Sequence, residues 1–200
     1  MNTSTDTITE VKSEIQKKKI CIQGYEGAFH EIASRFFYGE ENIDVRPCHT
    51  FEELVDVLNK NEEADGGLMA IENTLGGSLM YNFNLLSDSD LFITGEIYLR
   101  IKQNLMVNPD VELSDIKEVH SHPMAIAQCR EYFRKMPHIR LVETADTALS
   151  ARNIKENNSK HIGAIASTLA ADLYGLNIIA PSIETNKKRE ALMNELLELD

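Results

Sequence analysis

The sequence lacks any apolar run of about 18 residues, the length a membrane-spanning helix needs, so no transmembrane helix is expected. Its opening, MNTSTDTITEVKSEIQ, lacks the apolar core of a secretory signal. Residues 1–18 read instead as a polar, unpatterned tail. Cysteine is scarce. Cys21, Cys48 and Cys129 stand far apart with no C-x-x-C, which fits free thiols in a reducing cytoplasm rather than a disulfide framework. Positive charge is in deficit: 20 Lys and Arg face 32 Asp and Glu, a net charge of -12. Nucleic acid needs a basic face, so no nucleic-acid partner is expected, and no membrane partner either. A small anion is not excluded, because helix N-termini and local cations can hold one. No repeat recurs at a fixed period. His120 and His122 form an H-x-H with no third ligand indicated, so no metal site is expected.

What is present is ordinary for a globular chain. Of 200 residues, 42% are hydrophobic and 26% charged. That length suits one domain, or one domain built of two lobes. Strands and helices alternate. KICIQG (19–24), IDVRPC (43–48) and GLMAIEN (67–73) read as strands, with helical spacing between them at 28–39 and 50–60. Thr50 and Glu53 have capping-box spacing. This β-α-β-α-β order implies a parallel sheet with right-handed crossovers. Residues 78–89 read as a helix, and 91–107 as a long extended run able to cross between lobes. Three strand–turn–helix units follow at 116–135, 139–156 and 161–176, the first with Pro123 in its opening helical turn. A strand-like piece spans 177–183. Residues 187–200 carry Leu192, Leu196 and Leu199 at helical spacing and are expected to form a C-terminal helix.

One design recurs: a strand ends in small polar residues that open a helix. It occurs at Glu72–Ser78, Ser121–Met124, Thr144–Thr147 and Ser167–Thr168. In open α/β sheets ligands sit outside the carboxyl ends of the strands. Four such corners would line a cleft with backbone N–H groups and hydroxyls, a design for carboxylates.

The segments GYEGAF, MAIENTLGGS, VHSHPMAIAQC, ETADTALSA and AIASTLAADLYGL, in this order and spacing, resemble the prephenate dehydratase family from Lys19 to about Asn186. The resemblance implies a two-lobed α/β fold like the type II periplasmic-binding proteins, with mostly parallel sheets and flanking helices. Lobe 1 would hold about 19–97 and 178–186, and lobe 2 about 98–177. It implies decarboxylative dehydration of prephenate to phenylpyruvate, on the cytoplasmic route to L-phenylalanine. It implies no metal or organic cofactor, and a homodimer for which the sequence itself offers no independent argument.

The resemblance also implies site residues. Glu72, Asn73 and Thr74 match the family's Glu-Asn-Ser/Thr signature. Asn73 and Thr74 would contact substrate, and Glu72 would act as an acid or an orienting group. The same residues also suit a capped turn. Ser121, His122 and Gln128 match Ser-His-Pro and Gln-Cys; Thr144, Asp146 and Thr147 match Thr-x-Asp-Thr-Ala; Ser167 opens a helix with a free hydroxyl. Gly27 and Ala28 lie where the family has Gly-Thr-Phe-Ser. Ala28 and His30 replace its Thr and Ser, leaving that corner to backbone contacts. Glu72, Asn73 and Gln128 are the catalytic candidates. Gly27, Ala28, Asn73, Thr74, Ser121, His122, Thr144, Thr147 and Ser167 are the substrate-binding ones.

Within these 200 residues no match to a Thr-Arg-Phe strand, whose Thr the resemblance implies is central to catalysis, is expected after SIETN, nor any to the phenylalanine-binding ACT domain. Two readings stay open: an enzyme with impaired turnover, or a carboxylate-binding module of the same fold without chemistry.

Overall fold

The computed structural model describes residues 16–60, 64–73, 77–187 and 190–198. The elements in chain order are β1 (Lys18–Gln23), α1 (Phe29–Tyr38), β2 (Ile43–Cys48), α2 (Phe51–Asn59), β3 (Gly66–Asn73), β4 (Gly77–Ser78), α3 (Met80–Ser87), β5 (Leu91–Arg100) and β6 (Asn104–Val107). Then follow β7 (Glu118–Ser121), α4 (Pro123–Phe133), β8 (Arg140–Glu143), α5 (Thr147–Glu156), β9 (Ile162–Ala166), α6 (Thr168–Tyr174), β10 (Asn177–Ala180) and β11 (Glu190–Glu198).

The first lobe is a sheet in the order β2-β1-β3-β11-β5, with the short β4 beside β3. β1 runs parallel to β2 and β3, and β11 runs antiparallel to β3 and β5. The side chains alternate between two cores, as the period of a strand requires. Ile20 joins Ala33, Leu68 and Ala70 on one face, whereas Cys21 joins Leu54, Leu58 and Met69 on the other. The second lobe has the order β10-β6-β9-β7-β8. Leu105 and Val107 face one core with α4's Ile126 and Cys129; Met106 between them faces the other with α5's Ala148 and Ala151. Both lobes thus have the mixed α/β architecture expected, with helices flanking sheets that combine parallel pairs (β1–β2, β1–β3, β7–β8, β7–β9) with antiparallel ones at β11, β4, β6 and β10. Among the described residues no helix is long and apolar enough to cross a membrane.

Four expectations need correction. Residues 190–198 form strand β11, not a helix. The leucine spacing does favour a helix locally. However, β3 and β5 would each be left with an open ladder without a strand between them, and unpaired backbone groups at a sheet centre cost more than a helical preference gains. Residues 177–180 join the sheet of the second lobe through β6, so 178–186 does not belong to lobe 1; β11 completes it instead. The tail expected over 1–18 already enters β1 at Lys18, and residues 1–15 lie outside the described residues. The Thr50–Glu53 box is half made: Thr50 Oγ1 accepts from the Glu53 N–H (3.1 Å), but the Glu53 carboxylate takes the N–H of His49 (2.6 Å).

The chain crosses between lobes twice, at 101–103 and at 181–187, and the crossings are bonded together. The Ile183 N–H donates to the Gln103 carbonyl (2.7 Å), and the Gln103 N–H donates to Glu184 Oε2 (2.9 Å). Glu184 is fully buried there.

A second connection lies in the turn after β1. Ser167, the N-cap of α6, is fully buried; its hydroxyl donates to the Gly27 carbonyl at 2.5 Å and accepts from the Ala170 N–H at 3.0 Å. The Tyr174 hydroxyl donates to the Glu26 carbonyl (2.8 Å). Ala28 and Tyr25, although in lobe 1, pack into the α5/α6 core of lobe 2. Gly27 has φ +88°, and a Cβ there would meet Ala170 Cα at 2.9 Å. A Gly27→Ala substitution is therefore strained in its backbone and pushes the lobes apart. It should lower unfolding free energy by about 1–3 kcal/mol. Urea titration followed by circular dichroism measures this; an unchanged midpoint would show that the seam carries no load.

Candidate active site

Between the lobes lies a cleft of about 550 Å³. Four helices open onto it. Ala28, Phe29 and His30 bring the N-terminus of α1, and Thr50, Phe51 and Glu52 that of α2. His122, Met124 and Ala125 bring that of α4, and Ala145, Asp146 and Thr147 that of α5. Each helix presents first-turn N–H groups and the positive end of its dipole. Three have side-chain caps: Thr50, His122 (Nδ1 accepts from the Met124 N–H, 3.2 Å) and Asp146 (Oδ1 accepts from the Leu149 N–H, 2.8 Å). Ala28 caps nothing with its side chain, which leaves the α1 end open to an external acceptor. Among the described residues lining the cleft there is no lysine or arginine. An anion held here would rest on helix ends and histidines.

The floor is polar and partly unsatisfied. Gln128 is buried on α4 and accepts from Gln103 Nε2 (3.0 Å); Gln103 Oε1 is buried without a partner. His30 Nε2 is likewise sealed from solvent and unpartnered, with its ring edge-on to Phe51. Burial lowers the His30 pKa to about 4, so the ring is neutral near pH 7. Burial raises the Asp146 carboxyl, against opposing bonds from the N–H groups of α5. Its Oδ2 lies against Gly24, where a Cβ would come within 3.0 Å. Glu52, by contrast, is held below the usual carboxylate range by the hydroxyl of Tyr81.

Of the residues singled out from sequence, Ala28, Glu72, Asn73, His122, Gln128 and Thr147 meet in this one cleft; Glu72 is exposed at its mouth and Asn73 is half-buried. Four others lie behind it. The Ser121 hydroxyl is fully buried and donates to the Ile165 carbonyl (2.7 Å). Thr144 sits 2.5 Å from the Ser150 hydroxyl. Ser167 and Gly27 bond to each other across the lobes. Their polar atoms are bonded to backbone or, at Thr144, to a neighbouring hydroxyl of the chain itself. Thr74 lies outside the described residues. The α6 corner, expected in the cleft, serves the seam, and the α1 and α2 corners take its place. Sequence reasoning passed over His49, Phe51, Glu52 and Met193. The one available signal was the Thr50 cap, which marks a helix mouth like the others. His120, the other half of the H-x-H, pairs with Glu118 (2.9 Å), not with His122.

The family model for prephenate dehydratase matches residues 20–191. The chain belongs to the prephenate dehydratase family. An "arogenate dehydratase/prephenate dehydratase 2, chloroplastic" of Arabidopsis thaliana is 35% identical over 181 residues, covering 90% of this chain and 46% of the relative. A prephenate dehydratase from Arthrobacter aurescens, solved in complex with L-Phe, superposes with a TM-score of 0.83 at 28% identity, covering 91% of this chain and 61% of that one. GqqA, described as a novel type of quorum quenching acylase, superposes with a TM-score of 0.81 at 30% identity, covering 92% and 65%. The chain thus spans about half the length of the Arabidopsis relative and under two thirds of the A. aurescens structure. In dehydratase terms, the motif residues Glu72 and Asn73 face Gln128 and Thr147 from opposite lobes.

His30 makes the stability pH-dependent in a defined direction. Its pKa falls from 6.5 unfolded to about 4 folded. As pH drops below 6.5 the unfolded chain takes up the proton first, so stability is lost progressively down to about pH 4. The fall from 6.5 to about 4 makes roughly 3.4 kcal/mol an upper bound. Unfolding free energies across this window should slope less in His30→Gln than in the unaltered chain; identical slopes would remove His30 from the account.

Proposed function

We propose that this chain binds a cyclohexadienyl dicarboxylate in the interlobe cleft and carries out its decarboxylative dehydration. Prephenate would yield phenylpyruvate, and arogenate would yield phenylalanine. The observation that carries this reading is the convergence of four helix N-termini, with no lysine or arginine among the described lining residues, on the family's own motif residues. The ring carboxylate leaves as carbon dioxide, its bonding pair moves into the ring, and the hydroxyl departs as water with one added proton. Aromatisation drives the step, so the protein needs to hold the dianion and place an acid.

Helix ends α1, α4 and α5 suit the carboxylates. The unpartnered His30 Nε2 and Gln103 Oε1 are polar atoms that a substrate could satisfy. Two carboxyls suit the acid role: Glu72, from lobe 1, and Asp146, from lobe 2, whose burial favours its protonated form. A threonine of the Thr-Arg-Phe kind is not at hand. No threonine follows Thr185 in the sequence, and the Thr185 hydroxyl is spent on the Gln128 carbonyl (3.1 Å). Among the described side chains of β11, Met193 lines the cleft. Turnover below that of a full-length dehydratase follows from this reading. Acyl transfer, the activity in the GqqA description, is less favoured. No serine or cysteine is among the described lining residues, and the Thr50 hydroxyl is engaged in capping.

Prephenate and arogenate should each be titrated by calorimetry and assayed for phenylpyruvate or phenylalanine, beside the Arabidopsis relative. Binding with slow product formation is expected. Turnover equal to that relative would overturn the impairment, binding without product would make the chain a binding module, and neither binding nor product would reject the site. Asn73→Ala should lower kcat/KM by roughly tenfold or more, with its thermal midpoint kept near that of the unaltered chain; an unchanged kcat/KM would remove Asn73 from the site.

A further inference from the structure

The four helix mouths of the cleft differ in charge. α4 and α5 carry no acidic residue in their first turns. Glu31, in the first turn of α1, is buried and engaged: its carboxylate takes the Gly27 N–H (2.7 Å) and the Arg35 guanidinium (2.8 Å). The first turn of α2 holds Glu52 and Glu53. Glu53 turns to the His49 N–H, whereas Glu52 lines the cleft. The Tyr81 hydroxyl, from α3, donates to the Glu52 carboxylate and holds it in its ionised form. The positive end of the α2 dipole is thus opposed by a full negative charge, and this mouth suits a cation better than a third carboxylate. The other two carboxyls of the cleft differ from it. Asp146 caps α5 and is pushed toward its neutral form by burial, and Glu72 stands exposed at the end of β3.

A second observation calls for a donor on the ligand. Gln103 Nε2 donates to Gln128 Oε1, which leaves Gln103 Oε1 as an acceptor, buried and unpartnered, on a residue that lines the cleft. Prephenate can donate only its ring hydroxyl; its side chain ends in a ketone and a carboxylate. Arogenate carries an ammonium in place of the ketone. It brings N–H donors and one less net negative charge into a cleft with an ionised Glu52 and no lysine or arginine among its described lining residues. We propose that Glu52 is a specificity-determining residue, its carboxylate pairing with the ammonium of arogenate, so that this chain prefers arogenate to prephenate. The inference rests on the function proposed above: the carboxylates go to the mouths of α1, α4 and α5, and the amino group goes to α2.

The test is the preference ratio, read for both substrates at low ionic strength as a calorimetric Kd and, where product forms, as kcat/KM. The unaltered chain should favour arogenate by roughly fivefold or more, and added salt should shrink that margin. Glu52→Gln keeps the shape and removes the charge. It should weaken arogenate by roughly fivefold, the upper range for an exposed ion pair, and leave prephenate unchanged or improved. Asp56→Asn removes a charge from an exposed side chain of the same helix outside the cleft and should leave the ratio unchanged. Equal use of the two substrates, or a preference for prephenate, would overturn the proposal. So would a Glu52→Gln variant that keeps the ratio or weakens both substrates alike, which is what a purely structural bond to Tyr81 would give, or an Asp56→Asn variant that shifts the ratio as much. Failure to bind either substrate rejects the cleft reading itself; binding of both without preference rejects the role of Glu52 alone.

Discussion

The cleft exists because two lobes are held at a fixed separation, and the contact that fixes it is the buried hydrogen bond from the Ser167 hydroxyl to the Gly27 carbonyl. That bond needs a backbone able to come within contact of α6, and only a residue with no Cβ and a positive φ allows it. Once Gly27 is seated, Ala28 falls into the second lobe's core, and α1 is aimed with its open N-terminus into the cleft. On the opposite side of the turn, Gly24 receives the Asp146 carboxylate. A few ångströms at this seam decide whether helix ends from two lobes can reach one ligand.

The electrostatics of the cleft follow from its construction. In the proposed reading, a chain of net charge -12, with no cation among the described cleft residues, would rely on dipoles and N–H groups to hold an anion. That choice is compatible with a buried neutral His30 and a carboxyl at Asp146 pushed toward protonation. A lysine beside Asp146 would lower its pKa again and weaken it in the acid role proposed for it. Helix ends can bind carboxylates while keeping that acid weaker, provided its burial outweighs its own capping bonds.

β11 shows how a sheet can dictate the conformation of a sequence that prefers another. Between β3 and β5 it satisfies two ladders at once and buries Met193 against the Ile20–Leu68 core. The lobe is thereby closed, and the described side chain that β11 turns to the cleft, Met193, is apolar.

The strand and helix order was legible in the sequence because period-two and helical spacing are local, and the caps at Thr50, Asp146 and Ser167 mark helix starts one residue at a time. The family motifs likewise lie in short stretches, and Glu72, Asn73, Gln128 and Thr147 could be named from them. The sequence does not show where a hydroxyl points. Ser121, Thr144 and Ser167 look like Thr147, but Ser121 and Ser167 bond to backbone across a distance in sequence that no local pattern encodes, and Thr144 turns to the Ser150 hydroxyl of the helix that follows it. Nor does spacing reveal that 177–180 joins the second sheet, or that 190–198 is a strand, since both depend on which ladders elsewhere remain open. Local periodicity and capping chemistry determined the elements of this protein. The lobe seam, the partners of its hydroxyls and the fate of its last strand were decided by tertiary contacts, because hydrogen-bond satisfaction in a buried sheet and close approach between lobes are properties of the assembled chain.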